Sequence, residues 1–291
     1  MTLSFANKKS LRFVITLATG KFGSANNNQI TLQGFRAVAE IENAGGMQMS
    51  TLRARIYGVY QADMNAATTI SGALGYVQGN TVLVYAIDGA TETLVFAGNI
   101  INAWGDYQNM PDVSLYIQAA ASYEALITAA LPRSFKGSIP VATAMQGLAN
   151  DMGLSFYNAG VTGQITDMYL CYTLLQQVRD LAQMAGIDYY IANNTLTITP
   201  KGQASIKSGI PIISPDTGLI GYPVFNGYGV NIEAWFNPAV LFGGAIELVT
   251  DLTRAAGKWV VYAINYQLES EKPGGAWFMR IGGSYYDFTP Q

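Results

Sequence analysis

Thr51-Leu52-Arg53-Ala54-Arg55-Ile56-Tyr57-Gly58-Val59 alternates over its first seven residues: Leu52, Ala54 and Ile56 fall on one side, Arg53, Arg55 and Tyr57 on the other. A period of two is what a β-strand shows when one face meets a core and the other meets water. The chain on either side reads the same way. In residues 11–17, Leu11, Phe13, Ile15 and Leu17 share a face, with Arg12 and Thr16 opposite and Val14 breaking the rule. Residues 81–88, a Gly89-Ala90 turn and residues 93–103 make a hairpin, and 113–121 closes the region. Residues 20–28, with three asparagines, read as a loop, 30–42 as extended chain, Gly45-Gly46 as a turn, and 64–73 as a short helix or loop. Residues 1–130 are therefore expected to form a β domain, a small barrel or sandwich.

From about Ser138 the period changes. Val141, Met145, Leu148 and Met152 form a helical stripe after Pro140, and Gly153 supplies a stop. A second helix is expected from Thr173, where Thr173-Leu174-Leu175-Gln176 has capping-box spacing. Its stripe is Leu174, Val178, Leu181 and Ala185, ending at Gly186. Each helix leads into a short aromatic strand, as if one unit were repeated, and Asn193-Asn194 turns the second strand into 195–199. Residues 131–203 read as an α+β domain with two helices and a hairpin. Residues 204–291, punctuated by Gly and Pro, read as a second β domain with strands at 230–236, 245–252, 258–269 and 277–282. The expected class is mainly β, with two β domains flanking a helix-containing one.

Composition narrows the function. Among 291 residues only 16 are basic and 19 acidic, so 12% are charged while 50% are hydrophobic. Soluble domains run near a quarter charged. A chain so poor in charge is expected to bury much of its exterior against other protein copies. The apolar runs 82–87 and 168–175 fall well short of the roughly 20 residues a bilayer crossing needs, so no membrane insertion is expected. Lys8, Lys9 and Arg12 lead into no apolar stretch with a cleavage site, so no secretory signal is expected. Cys171 stands alone among apolar neighbours and is expected to be a buried thiol.

No histidine occurs, which excludes Ser-His-Asp and Cys-His catalysis and histidine metal sites; one cysteine cannot build a zinc site. A net charge of −3 argues against a strong nucleic-acid binder. Gly20-Lys21 and Gly257-Lys258 lack P-loop context, and Gly227-Tyr228-Gly229 reads as a turn. No cofactor or metal is expected. Paired carboxylates remain an option: Asp106, Asp112, Glu233 and Glu247 stand among aromatics, as in sugar clefts, although turn and structural roles fit them better. Arg53 and Arg55 share a strand face, either solvated or forming intersubunit ion pairs.

Landmarks along the whole chain carry a resemblance. They include Gly34-Phe35-Arg36, Met47, Met49, Ile56-Tyr57-Gly58, Ala103-Trp104-Gly105-Asp106-Tyr107 and Pro111-Asp112-Val113. Further on come Met152-Gly153-Leu154, Ala185-Gly186-Ile187, Pro200-Lys201-Gly202 and residues 213–223 (ISPDTGLIGYP), the most specific stretch. Phe236-Asn237-Pro238, Phe242-Gly243-Gly244 and Pro273-Gly274-Gly275-Ala276-Trp277-Phe278 complete the set. In order and spacing these resemble the baseplate hub proteins of contractile-tailed bacteriophages. Met168, Cys171 and Tyr266 depart from that pattern, where proline, glycine and histidine are expected.

The resemblance implies a homotrimer whose subunits each carry two tail-tube-like β domains, adapting a sixfold tail tube to a threefold central spike. It implies tube, spike and baseplate wedge proteins as neighbours, with genomic DNA in transit through a channel. It also implies residence in the virion after assembly in the bacterial host cytoplasm. The residues expected to form interfaces or special turns are Arg53, Arg55, Trp104, Tyr107, Gly218, Tyr222, Trp235, Phe236, Trp277 and Phe278. Two other readings stay open: a carbohydrate-active enzyme or sugar-binding module, and a hexameric tail-tube component.

Overall fold

The strand alternation carries straight into sheet. In the computed structural model, which describes residues 8–23, 26–44, 49–69, 79–206 and 209–285, the chain divides into two units. Gly45-Gly46 and Met47 lie outside the described residues.

The first unit comprises Met1–Glu42, Ser50–Glu124 and Asn265–Phe278. Its chain runs β1 (Lys9–Thr16), β2 (Gln29–Gln33), β3 (Ala37–Ala44), β4 (Thr51–Tyr57), α1 (Gln61–Ala67), β5 (Thr81–Asp88), β6 (Thr91–Asp106), β7 (Ser114–Ala120) and α2 (Tyr123–Ile127). The spatial order is β3-β4-β7-β6-β5-β1-β2, every neighbour antiparallel. Register brings the alternating apolar residues into rows. Ala39, Ala54, Ile117 and Ala103 stand abreast on four successive strands and are all fully buried. Phe13 and Val84 do the same on β1 and β5. Burying one such side chain is worth roughly 1.5–3 kcal/mol, so whole rows hold the sheet to its core.

The second unit comprises Asn43–Met49, Ala125–Ile264 and Met279–Gln291. It begins with β8 (Arg133–Pro140), α3 (Val141–Asp151), β9 (Ser155–Asn158), β10 (Gln164–Leu170), α4 (Leu174–Ala185), β11 (Ile187–Ala192) and β12 (Thr195–Pro200). It continues with β13 (Ile212–Ile213), a 3₁₀ turn (Pro215–Thr217), β14 (Leu219–Asn226), β15 (Gly229–Trp235), β16 (Ala245–Leu248), β17 (Gly257–Ser270) and β18 (Trp277–Tyr285). The last two strands contribute residues to both units. Val141, Met145 and Leu148 of α3 meet Val178 and Leu181 of α4 in one buried cluster with Leu196 and Ile198 of β12. Thr173 caps α4 by accepting from Gln176 N at 3.3 Å, and Gly186 ends it in the left-handed region at φ 62. β9 and β11, the two aromatic strands, flank β12 in one three-stranded sheet.

Several expectations need correction. Among the described residues neither unit's strand order closes on itself, so the β parts are open sheets and not barrels. The strand expected over 245–252 stops at Leu248. Leu175 and Ala182, not Leu174 and Ala185, are the more deeply buried residues of α4. Cys171 is half-buried, not enclosed.

Candidate interaction surface

On the outward side of β4 the register sets Arg55 opposite Tyr116 of β7, and Tyr116 opposite Trp104 of β6. Arg55 Nη1 lies 3.5 Å from Asp106 Oδ2, its guanidinium 5.5 Å from the Tyr116 ring, and that ring 4.5 Å from Trp104. The pattern repeats. Arg36 pairs with Asp112 at 3.5 Å and stacks 4.5 Å from Tyr57. Arg12 pairs with Glu92 and stacks 4.4 Å from Tyr85. Lys9 pairs with Asp88 at 2.8 Å and lies 5.8 Å from the Trp277 ring. Each of these four cations thus has both a carboxylate and an aromatic face in its own chain. Partly exposed pairs of this kind add little stability, about 0–1 kcal/mol each; their effect is to leave the cations committed.

Around Arg36 the effect extends to Glu269. Burial would raise that carboxyl, but the Ala276 N–H, the Lys272 ammonium and the Arg36 charge outweigh it and hold it below the usual glutamate range. Arg53 is exposed, opposite Glu40 of β3 and Gln118 of β7. The Tyr107 ring lies over Gly105, where an added Cβ would come within 2.8 Å of it.

In the second unit, Ser214 and Thr217 form a reciprocal capping box and Gly218 leaves the turn at φ 112. The Gly218 carbonyl then accepts from Trp235 N at 2.9 Å, seating β14 against β15. Gly221 and Pro223 fall where the β14–β15 register shifts. Among the described residues β14 pairs only with β15, so it is an edge strand there. Its side chains are exposed on both faces: Tyr222 at 68%, Val224 at 64% and Phe225 at 54%. None carries a charge. Natural edges are usually blunted by charge, brevity or cover, so a bare apolar edge invites pairing with another chain.

The other expected residues divide between surface and interior. Trp277 and Phe236 are buried, Trp235 and Phe278 half-buried, and Trp104 and Tyr107 partly exposed. Asp106, Asp112 and Glu233 each face an arginine, Glu233 meeting Arg280 at 3.2 Å, so the pairing lies within the chain. Among the described residues no group of three or more Asp, Glu, Cys or His side chains could hold a metal. Not anticipated were the rings of Tyr57, Tyr85 and Tyr116 and the exposed Val224, Phe225 and Tyr228.

A family model described as baseplate hub gp41 matches residues 47–277. The chain belongs to that family. The hub's fold is also that of several solved tail proteins. One is the tail protein from Neisseria meningitidis MC58, at TM-score 0.64 and 11% identity over 96% of this chain and 97% of that one. Another is the 43 kDa tail protein of prophage MuSo2 from Shewanella oneidensis, at TM-score 0.61 and 10% identity over 97% of each. A third is the E. coli c3393 protein, at TM-score 0.58 and 8% identity over 88% of this chain and 76% of that one. It is described as a component of the type VI secretion system with structural similarity to T4 bacteriophage tail proteins gp27 and gp5. At such identities the likeness is one of fold. A sequence comparison with curated proteins gave no match. Family membership makes the hub a structural component of a phage tail baseplate.

Proposed function

We propose that the hub works without catalysis as a homotrimeric adaptor between a sixfold tail tube and a threefold central spike. Residues 1–130 and 204–291 would supply the two tube-like β parts and 131–203 the peripheral α+β part. Wedge proteins would contact its outside, and DNA would cross its channel. Assembly takes place in the host cytoplasm.

The uncharged edge β14 is the observation that carries this reading: a lone copy would leave Tyr222, Val224 and Phe225 in water. Obligate interfaces bury roughly 2,000–5,000 Å² and are more apolar than ordinary surfaces, which also accounts for the low charge. The committed cations support passage of DNA, since a polyphosphate is retained by cations free to displace its counterions. Native mass spectrometry of the purified hub tests the stoichiometry. Three copies are expected; six would favour a tube component, and a stable single copy at micromolar concentration would sink the adaptor reading.

A further inference from the structure

Among the chain's asparagines only Asn226 is followed by glycine. It ends β14, stands opposite Gly229 of β15, and opens the two-residue turn through Gly227 and Tyr228. Two-residue hairpins favour turns with one or both central residues at positive φ, because that twist matches the strands. Neither Gly227 nor Tyr228 adopts the left-handed region. The side chain of Asn226 holds the turn instead. Its Oδ1 accepts from Tyr228 N at 2.8 Å and from Gly229 N at 2.7 Å. Its Nδ2 donates to Asn231 Oδ1 at 2.7 Å and to Tyr262 Oη at 3.1 Å. Both lone pairs and both hydrogens of one amide are thereby used.

The same dipeptide is the one most prone to lose its amide. Glycine has no side chain to shield its N–H, so Gly227 N can attack Asn226 Cγ. An N–C bond forms, the Cγ–Nδ2 bond breaks, and Nδ2 leaves as ammonia with the proton from Gly227. Water then opens the five-membered imide at either carbonyl, leaving aspartate or isoaspartate. Gly227 is exposed, so water is at hand. Attack requires the face of Cγ to turn toward Gly227 N, and that rotation breaks the bonds that fix the amide plane.

We propose that Asn226-Gly227 is a deamidation site that the folded hairpin keeps closed and an unfolded chain leaves open. Conversion is irreversible and falls on the strand that displays Val224 and Phe225. Aspartate keeps both acceptor bonds but, ionised, has no hydrogen to give Asn231 Oδ1. Isoaspartate carries the main chain through the former side chain, lengthens it by one methylene and displaces the acceptor that held the turn. A copy that unfolds and ages thus loses the means of rebuilding β14, while one that stays folded keeps it. The inference rests on this hairpin alone and holds whatever the hub's copy number.

The purified hub and the same hub in concentrated guanidinium chloride are aged side by side in warm, mildly alkaline buffer. Peptide mapping by mass spectrometry follows aspartate and isoaspartate at position 226. The unfolded chain should convert Asn226 before its other asparagines, and roughly ten-fold or more faster than the folded hub, where several hydrogen bonds must first break. Combining Tyr262→Phe with Asn231→Ala removes both acceptors of Nδ2. With its melting transition confirming the fold, this variant should convert several-fold faster than the folded parent and no faster in guanidinium. Equal rates for the folded and unfolded parent overturn the proposal. So does a faster folded rate, which would mean that the Tyr228 and Gly229 N–H groups promote attack by stabilising the oxyanion. A folded variant as slow as the parent overturns it too. The parent comparison needs no substitution, so a folding defect cannot mimic its result.

Discussion

The outward side of β4, β7 and β6 and the edge strand β14 are both exposed and both rich in aromatic rings, yet they treat charge in opposite ways. On the first, Arg55 lies beside Asp106 and Tyr116, and Trp104 leans on the same ring. On the second, Tyr222, Val224 and Phe225 face water with no charge among them. The low charge density is therefore not spread evenly. One surface is polar and pairs Arg55 within its own chain while leaving Arg53 exposed beside it. The other is apolar and unfinished, as suits something joined.

The comparison presumes an intact scaffold, and the largest expected effect tests that. Trp277 is 2% exposed, so Trp277→Asp places a carboxylate in the interior of the first unit and removes a large packed ring. Such a change is expected to remove roughly 4–5 kcal/mol or more, comparable to a domain's whole stability. Circular dichroism should show loss of the folded state; a cooperative transition close to the parent's would show that Trp277 is not an interior anchor.

Next is the hairpin that presents β14. Gly229 has φ 152, and a Cβ added there would lie 2.1 Å from the Gly283 carbonyl oxygen. Gly229→Ala combines backbone strain with overlap, roughly 3 kcal/mol together. Amide exchange in β14 and β15 should accelerate far more than in β5. A uniform change across both units would mean that the hairpin is not separately held by this contact.

Substitution on the surface separates joining from folding. Val224→Lys should leave thermal stability nearly unchanged, within about 0.5 kcal/mol, because the side chain is already in water. Sedimentation should nevertheless show the assembled species lost. The same lysine at Gln118, on the side of Arg55, should leave assembly intact. If both variants assemble alike, the proposed division between the two surfaces fails.

How far these regions could be read in advance follows from the same physics. β4 and β5 were legible because one wet and one dry face impose a period of two. β8 was not: only Phe135 and Ile139 of this ribbon pack against the core, four residues apart, and Gly137 and Pro140 read as breakers. β14 was missed because Gly221 and Pro223 mimic loop punctuation and because neither face is buried enough to alternate. Arg53, Arg55, Trp104 and Tyr107 could be named as exposed candidates. The ring beneath Arg55 could not, since Tyr116 reaches it only through the β4–β7 register, which local sequence does not encode.

The smallest expected effect tests the charged surface itself. Asp106→Asn keeps the side chain's shape but withdraws the carboxylate facing Arg55, leaving a guanidinium held only by Tyr116. The pair is partly exposed and screened by water, so stability should fall by less than about 1 kcal/mol. Electrostatics toward DNA should change more plainly. Each cation freed to contact a phosphate adds close to one unit to the slope of log affinity against log salt. The parent should show almost no DNA retention at low salt, and Asp106→Asn a weak retention that disappears as salt rises. Adding Asp112→Asn, which withdraws one carboxylate from Arg36 while Glu269 and Tyr57 remain beside it, should steepen the slope by less. A parent protein that already binds DNA strongly would show that carboxylate and ring do not neutralise these cations, and the contrast with β14 would then be one of polarity alone.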